Sequence, residues 1–164
     1  MKYEKALADI RESIVLPPKK GDPYKADPAL WVREVVGFKP DKWQSEVLNS
    51  RGSKVMLNVS RQAGKTAVAS LVALHRARYY PNSLVLMVSH SLRQSGVLFE
   101  SFKHYLGILT DIAPRGVDRQ LSCKLTNGSR VISLPDSEGT VRGYSAVDLL
   151  IIDEAFSGVK ASET

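Results

Sequence analysis

The sequence predicts an α/β domain, a mainly parallel sheet flanked by helices, and three observations carry that prediction. Three apolar runs of strand length, residues 55–59, 84–88 and 147–152, alternate with helical patterns, the order that builds parallel sheets buried on both faces. The first run passes straight into a loop bearing glycine and lysine, then into a helical pattern. The last run ends in two adjacent carboxylates, Asp153 and Glu154.

Taken in order, residues 2–14 carry Ala6, Leu7, Ile10 and Ile14 at helical spacing. Pro17-Pro18-Lys19-Lys20-Gly21-Asp22-Pro23 then interrupts the pattern as an extended linker. Asp27-Pro28 is a cap followed by proline at the first helical position; Leu30, Trp31 and Val35 give that short helix its apolar face, and Gly37 ends it. A second short helix starts at Asp41 with Trp43, Val47 and Leu48 on its apolar side. Ala67, Leu71, Leu74 and Ala77 continue the helix after the loop until Tyr79-Tyr80-Pro81-Asn82 stops it. Leu92, Val97, Phe99, Phe102, Leu106 and Leu109 set out a long amphipathic helix. Residues 121–125 and 130–134 around Asn127-Gly128 form a hairpin that extends an edge of the sheet or packs beside it. Residues 1–37 are thus an N-terminal helical and linker segment, and residues 38–164 the main domain.

Bulk properties narrow the function classes. The single cysteine, Cys123, excludes an intrachain disulfide and a cysteine-built metal site. No apolar run approaches the roughly 20 residues needed to span a bilayer, so a soluble, cytosolic protein without a membrane partner is expected. Lysine and arginine number 23 against 17 acids, a net charge of 23 − 17 = +6 that suits a polyanionic partner. His75, His90 and His104 lack metal-ligand spacing, and Trp31 is a core residue by its position.

Chemistry concentrates in two segments. Asn58-Val59-Ser60-Arg61-Gln62-Ala63-Gly64-Lys65-Thr66-Ala67 is a phosphate loop. Such a loop turns backbone N–H groups toward a nucleotide triphosphate, the helix behind it adds a positive dipole end, Lys65 reaches the β and γ phosphates, and Thr66 ligates magnesium. Val59 stands where the common motif has glycine, so positive φ has to come from other loop residues. Leu149-Leu150-Ile151-Ile152-Asp153-Glu154 delivers its carboxylates at the C-terminal end of a strand, where parallel sheets place ligands. Asp153 would hold the magnesium shell and Glu154 would polarise the water that attacks the γ phosphate. Together the two segments specify a P-loop NTPase of the RecA-like class with an added catalytic glutamate, using ATP and Mg2+ and gaining rate from positioning and charge neutralisation.

Ser60-Arg61-Gln62-Ala63-Gly64-Lys65-Thr66 resembles the variant Walker A motif of the large terminase subunits of tailed bacteriophages, which lack the first glycine and carry an arginine. Four further segments resemble that family in the same order: Phe38-Lys39-Pro40-Asp41-Lys42-Trp43-Gln44, Leu125-Thr126-Asn127-Gly128-Ser129-Arg130, Val141-Arg142-Gly143-Tyr144 and Asp153-Glu154-Ala155. The resemblance implies the ATPase motor of a viral machine that threads double-stranded DNA into a procapsid, working as a homo-oligomeric ring with a portal and a small terminase subunit in the cytoplasm of an infected bacterium. It further implies that Gln44 reads the adenine edge with aromatics such as Trp43 bracing the base. Arg61 would sense or neutralise phosphate within its own subunit, and Arg142 would be a finger reaching the neighbouring subunit's nucleotide. The family's separate nuclease domain has no counterpart in residues 1–164, and the chain stops ten residues after Glu154, so an incomplete sheet is expected. A superfamily two helicase fragment, or a nucleotide-binding assembly module without turnover, shares part of this motif set.

Overall fold

The computed structural model describes residues 21–52, 54–60, 62–115, 121–136 and 143–154. The helix expected over residues 2–14 lies outside them, as do Arg61, Arg142 and Ala155. Two short helices, α1 (Pro23–Ala26) and α2 (Pro28–Trp31), each begin on an aspartate that accepts a backbone N–H, Asp22 from Tyr24 and Asp27 from Leu30. Such a cap followed by proline satisfies an orphan donor and pre-sets the first helical φ. The chain continues as a π turn, Val32–Val36, until Gly37 takes up φ 79°. The wider turn carries Val32 and Val36 inward and leaves Val35 exposed, so the expected Leu30, Trp31 and Val35 face is corrected to Ala29, Trp31, Val32 and Val36. Helix α3 (Lys42–Leu48) opens with a full capping box between Asp41 and Gln44.

Beyond the loop come α4 (Lys65–Tyr79), β1 (Leu84–Ser89), α5 (Leu92–Leu106), β2 (Ser122–Lys124), β3 (Arg130–Pro135) and β4 (Leu149–Asp153). The sheet order is β2-β3-β1-β4, with β1 parallel to both neighbours and β2 antiparallel to β3. The hairpin therefore belongs to the sheet, its second strand pairing directly with β1. Trp31, Leu71, Leu74, Tyr79, Leu98 and Phe102 fill the core beside Val85, Met87 and Val131. In α5 the buried stripe is Ser95, Leu98, Phe99, Phe102 and Leu106, while Leu92 and Val97 face outward; helical spacing from Phe102 selects Leu98 over Val97.

Two expectations about strands fail. Residues 55–59 form no strand, and Val55, Met56 and Leu57 are exposed, Met56 by 81%. Both edges of β1 are taken by β3 and β4, and apolarity without a hydrogen-bonding partner makes no sheet. On β4, Leu149 and Ile151 pack on the core while Leu150 and Ile152 are exposed, so that strand is covered on one face and not on two. Asp148, the polar interruption of its run, has a structural role: its carboxylate accepts from the Leu84 N–H at 2.8 Å and from Arg76 at 3.1 Å, tying the starts of β1 and β4 together.

The hairpin turn closes the far end of α4. Asn127 Nδ2 donates to the carbonyls of Ala77 (2.7 Å) and Arg78 (3.3 Å), and Ser129 Oγ donates to that of Tyr80 at 3.1 Å. These carbonyls would otherwise end the helix unpaired. Gly128 holds φ 86°, and a Cβ there would lie 2.1 Å from Asn82 Oδ1. Gly128→Ala is therefore expected to destabilise the fold by about 2 kcal/mol and lower Tm by about 4–8 °C; an unchanged melting curve would refute this account of the turn.

His75 sits in the core between Trp31 and Tyr79, its Nε2 2.9 Å from the Tyr24 carbonyl oxygen. Burial pushes its pKa down to about 4 from 6.5, against the opposing pull of the Tyr24 hydrogen bond. The unfolded chain thus binds a proton in a window where the folded chain does not, so stability falls as pH drops from 6.5 toward 4, by roughly 3 kcal/mol at the low end. Urea midpoints measured across that window should decline in the parent and decline less in His75→Asn; parallel curves would contradict the assignment.

Candidate nucleotide site

The site is assembled where two strand exits and one helix start meet. β1 and β4 are adjacent and parallel, with Ser89 in register with Asp153, so both strands deliver their C-terminal residues to the same edge of the sheet. From β1 the chain turns through Ser91, whose hydroxyl caps α5 by accepting from the Gln94 N–H at 3.3 Å. The same hydroxyl lies 3.3 Å from Gln94 Oε1, and Gln94 Nε2 donates to Glu154 Oε2 at 2.6 Å. Gln94 is a contact of Glu154 that the sequence pattern did not isolate. Only strand adjacency brings residues 60 positions apart together. Glu154 leaves β4 with φ 58°, a left-handed turn that is uncommon for a side chain larger than glycine.

Asp153, half-buried on β4, is held above the usual carboxylate range, first by burial and second by the adjacent Glu154 charge, while Lys65 pulls it the other way. The Lys65 charge thus favours the ionised form of Asp153, an electrostatic link between the two sequence motifs. Lys65 opens α4, and its Nζ donates to the carbonyls of Val59 and Ser60, both at 2.9 Å. The loop obtains its positive φ from Gln62 (62°) and Gly64 (85°), so Val59 is relieved of that task. Gly64 caps α4 without any side-chain hydrogen bond, and Thr66 follows Lys65 in the first turn. A 15-residue helix begun in this way turns its first-turn N–H groups and positive dipole end toward an anion.

The residues present fit both implied groups. Two neighbouring carboxylates, one desolvated, suit a divalent cation, and Lys65 with the open helix start suits the phosphates it would accompany. Of the aromatics upstream, Trp43 is partly buried against the core and Phe38 meets Tyr105 edge-to-face at 6.1 Å. Gln44 is not turned outward: its amide is engaged with Asp41 and with the Ala63 carbonyl oxygen. Ser60 is exposed beside the loop. A pocket lined by Lys25, Leu48, Arg51, His75, Arg76 and Tyr80 lies at the opposite end of α4 and takes no part in this site.

No protein-family model matches the chain. Among solved structures, it is similar to the large terminase ATPase domain of Thermus phage P74-26, with TM-score 0.61 and 19% identity over 85% of this chain. A mutant form of that domain gives TM-score 0.66 at 18% identity over the same share. In each case this chain spans 59% of the length of the matched structure. The helices and the mostly parallel sheet described above, with the loop at the head of α4 and the carboxylates at the exit of β4, are thus arranged in the fold of a phage large terminase ATPase domain.

Proposed function

We propose that the chain is the ATPase motor domain of a viral DNA-packaging terminase large subunit, hydrolysing ATP with Mg2+ to drive double-stranded DNA into a procapsid. The phosphate loop with Lys65 at the head of α4, together with Asp153 and Glu154 at the exit of β4, carries this reading. The shared fold with the phage ATPase domain supports it.

In this reading Ser60, Gln62, Ala63 and Gly64 line the phosphates with backbone groups, and Lys65 exchanges its two loop carbonyls for phosphate oxygens. Thr66 and Asp153 would hold the magnesium ion, which when bound neutralises phosphate charge and orients the triphosphate. Glu154, held by Gln94, polarises the attacking water. Trp43 lies beside the base. Arg61 and Arg142 supply guanidinium charge, the first within the subunit and the second toward a neighbour in a homo-oligomeric ring. Double-stranded DNA, a portal and a small terminase subunit are the proposed partners, in the cytoplasm of an infected bacterium. Domain limits at residues 1–37 and 38–164 belong to the same proposal. Among the described residues no helix is long and apolar enough to cross a membrane.

Calorimetric binding of Mg-ATP to the 164-residue chain, followed by phosphate release with and without double-stranded DNA, tests the reading. ATP binding and DNA-stimulated release are expected; absence of ATP binding would overturn it.

A further inference from the structure

We infer that the pocket at the far end of α4 binds a phosphate group of a nucleic-acid backbone, held by Lys25, Arg51 and Arg76 beside the Tyr80 ring. The three cations come from separate parts of the chain: α1, the segment after α3, and the last turn of α4. Lys25 Nζ lies 4.7 Å and the Arg76 guanidinium carbon 4.0 Å from the centre of the Tyr80 ring, so one aromatic side chain gathers both charges. Arg51 Nη2 donates to the carbonyl of Ala26, the residue after Lys25, at 3.3 Å, which turns the third cation toward the same opening. No acid lines the cavity. Asp148 pairs with Arg76 from beside it at 3.1 Å, but both partners are about one-third exposed, and such pairs contribute little. Among the described residues Arg76 Nε, shielded from solvent, has no hydrogen-bond partner, and neither Lys25 nor Arg51 forms an ion pair. A bound anion would relieve the repulsion among the three.

Size and shape select the anion. The cavity measures about 210 Å³, less than the roughly 300 Å³ at which pockets for whole small-molecule ligands begin. An entire nucleotide does not fit, whereas a phosphate does, its ester arms running out over Lys25, Arg51 and Tyr80, all of them exposed. A planar carboxylate is satisfied by one forked guanidinium. A tetrahedral phosphate sends oxygens in several directions, and donors from three parts of the chain meet them, so a backbone phosphodiester is favoured over an acidic peptide. The net charge of +6 points the same way. Lys65 lies roughly 16 Å from Arg76 along α4, so this pocket and the phosphate loop are separate sites.

The test is fluorescence anisotropy of a short labelled DNA duplex of mixed sequence, titrated with the 164-residue chain at several sodium chloride concentrations. No nucleotide is added, so the result does not depend on the phosphate loop. The double variant Lys25→Ala with Arg51→Ala is expected to weaken duplex binding about tenfold or more, the effect of losing charge-assisted hydrogen bonds. Its plot of log affinity against log salt should be shallower by about one. Lys124→Glu changes the net charge by the same amount on β2, at the opposite edge of the sheet from β4, and should bind within about threefold of the parent. Melting curves by circular dichroism check the fold, and Arg51→Glu carries the comparison if the double variant does not fold. No duplex binding by the parent, unchanged binding by the folded double variant, or an equal loss in Lys124→Glu overturns the inference. Calorimetric binding of inorganic phosphate that the double variant loses, with duplex binding intact, would assign the pocket to free phosphate and overturn the nucleic-acid assignment. Tighter binding of labelled polyglutamate than of the duplex at equal salt would overturn it as well.

Discussion

Glu154→Gln is expected to lower ATP turnover by about 100- to 10,000-fold, the range over which positioned general bases act, while ATP affinity stays within about threefold of the parent. The substitution keeps shape and removes charge. Gln94 Nε2, 2.6 Å from Glu154 Oε2, can donate to an amide oxygen as well as to a carboxylate, so the side chain stays in place. What disappears is the negative charge that, in the proposed reaction, would draw a proton from the attacking water. Removing that charge also relieves the adjacent Asp153, which Glu154 holds upward, so metal-assisted binding is not expected to weaken. Phosphate release under single-turnover conditions, beside calorimetric affinity, separates the two effects. Turnover within a few-fold of the parent would remove Glu154 from the chemistry.

Lys65→Ala should act on the other half of the site and show in binding. The ammonium would trade two carbonyl partners, Val59 and Ser60, for phosphate oxygens, and charge-assisted bonds of that kind contribute about 1.5–3 kcal/mol each. Losing the side chain is expected to cut ATP affinity by about 100-fold or more and to abolish turnover at ordinary ATP concentrations. The deletion also leaves those two carbonyls without their cation, so the loop loses a clasp as well as a ligand group. Lys65→Arg separates the effects, since it keeps the charge but not the compact three-donor head. Parent-like ATP binding by Lys65→Ala, with an unchanged fold by circular dichroism, would sink the phosphate-loop assignment.

Local signals in the sequence located α2 to α5 well because a helix satisfies its own backbone, while α1 begins at Pro23, the last residue of the expected linker. Asp41 before Lys42, Pro28 after Asp27, and Gly37 at the end of its turn all stand where capping chemistry puts them. The apolar face of the second segment was misplaced because the π turn at Val32–Val36 shifts every later side chain, and nothing in the residue types announces that extra width. Strands were less legible because they are pairings. Residues 55–59 and 149–153 have similar composition, yet only the second pairs with β1. The candidate site followed the same divide. Lys65 and the Asp153-Glu154 pair were visible as motifs within single segments, whereas Gln94 and the inward engagement of Gln44 depend on contacts across 60 and 19 positions.

Asn127 and Ser129, described above as closing α4, also bear on how the other end of that helix works. Fifteen residues at about 1.5 Å each make a rod roughly 22 Å long, with Lys65 at one tip and the hairpin turn clamped over the other. Because the clamp is the turn that leads directly into β3, the rod is fixed to the sheet from which the carboxylates project, and it cannot slide along its own axis without breaking the hairpin. The start of α4, with Lys65 and Thr66, is therefore held in place relative to the sheet before any ligand arrives, and little ordering entropy is left for binding to supply.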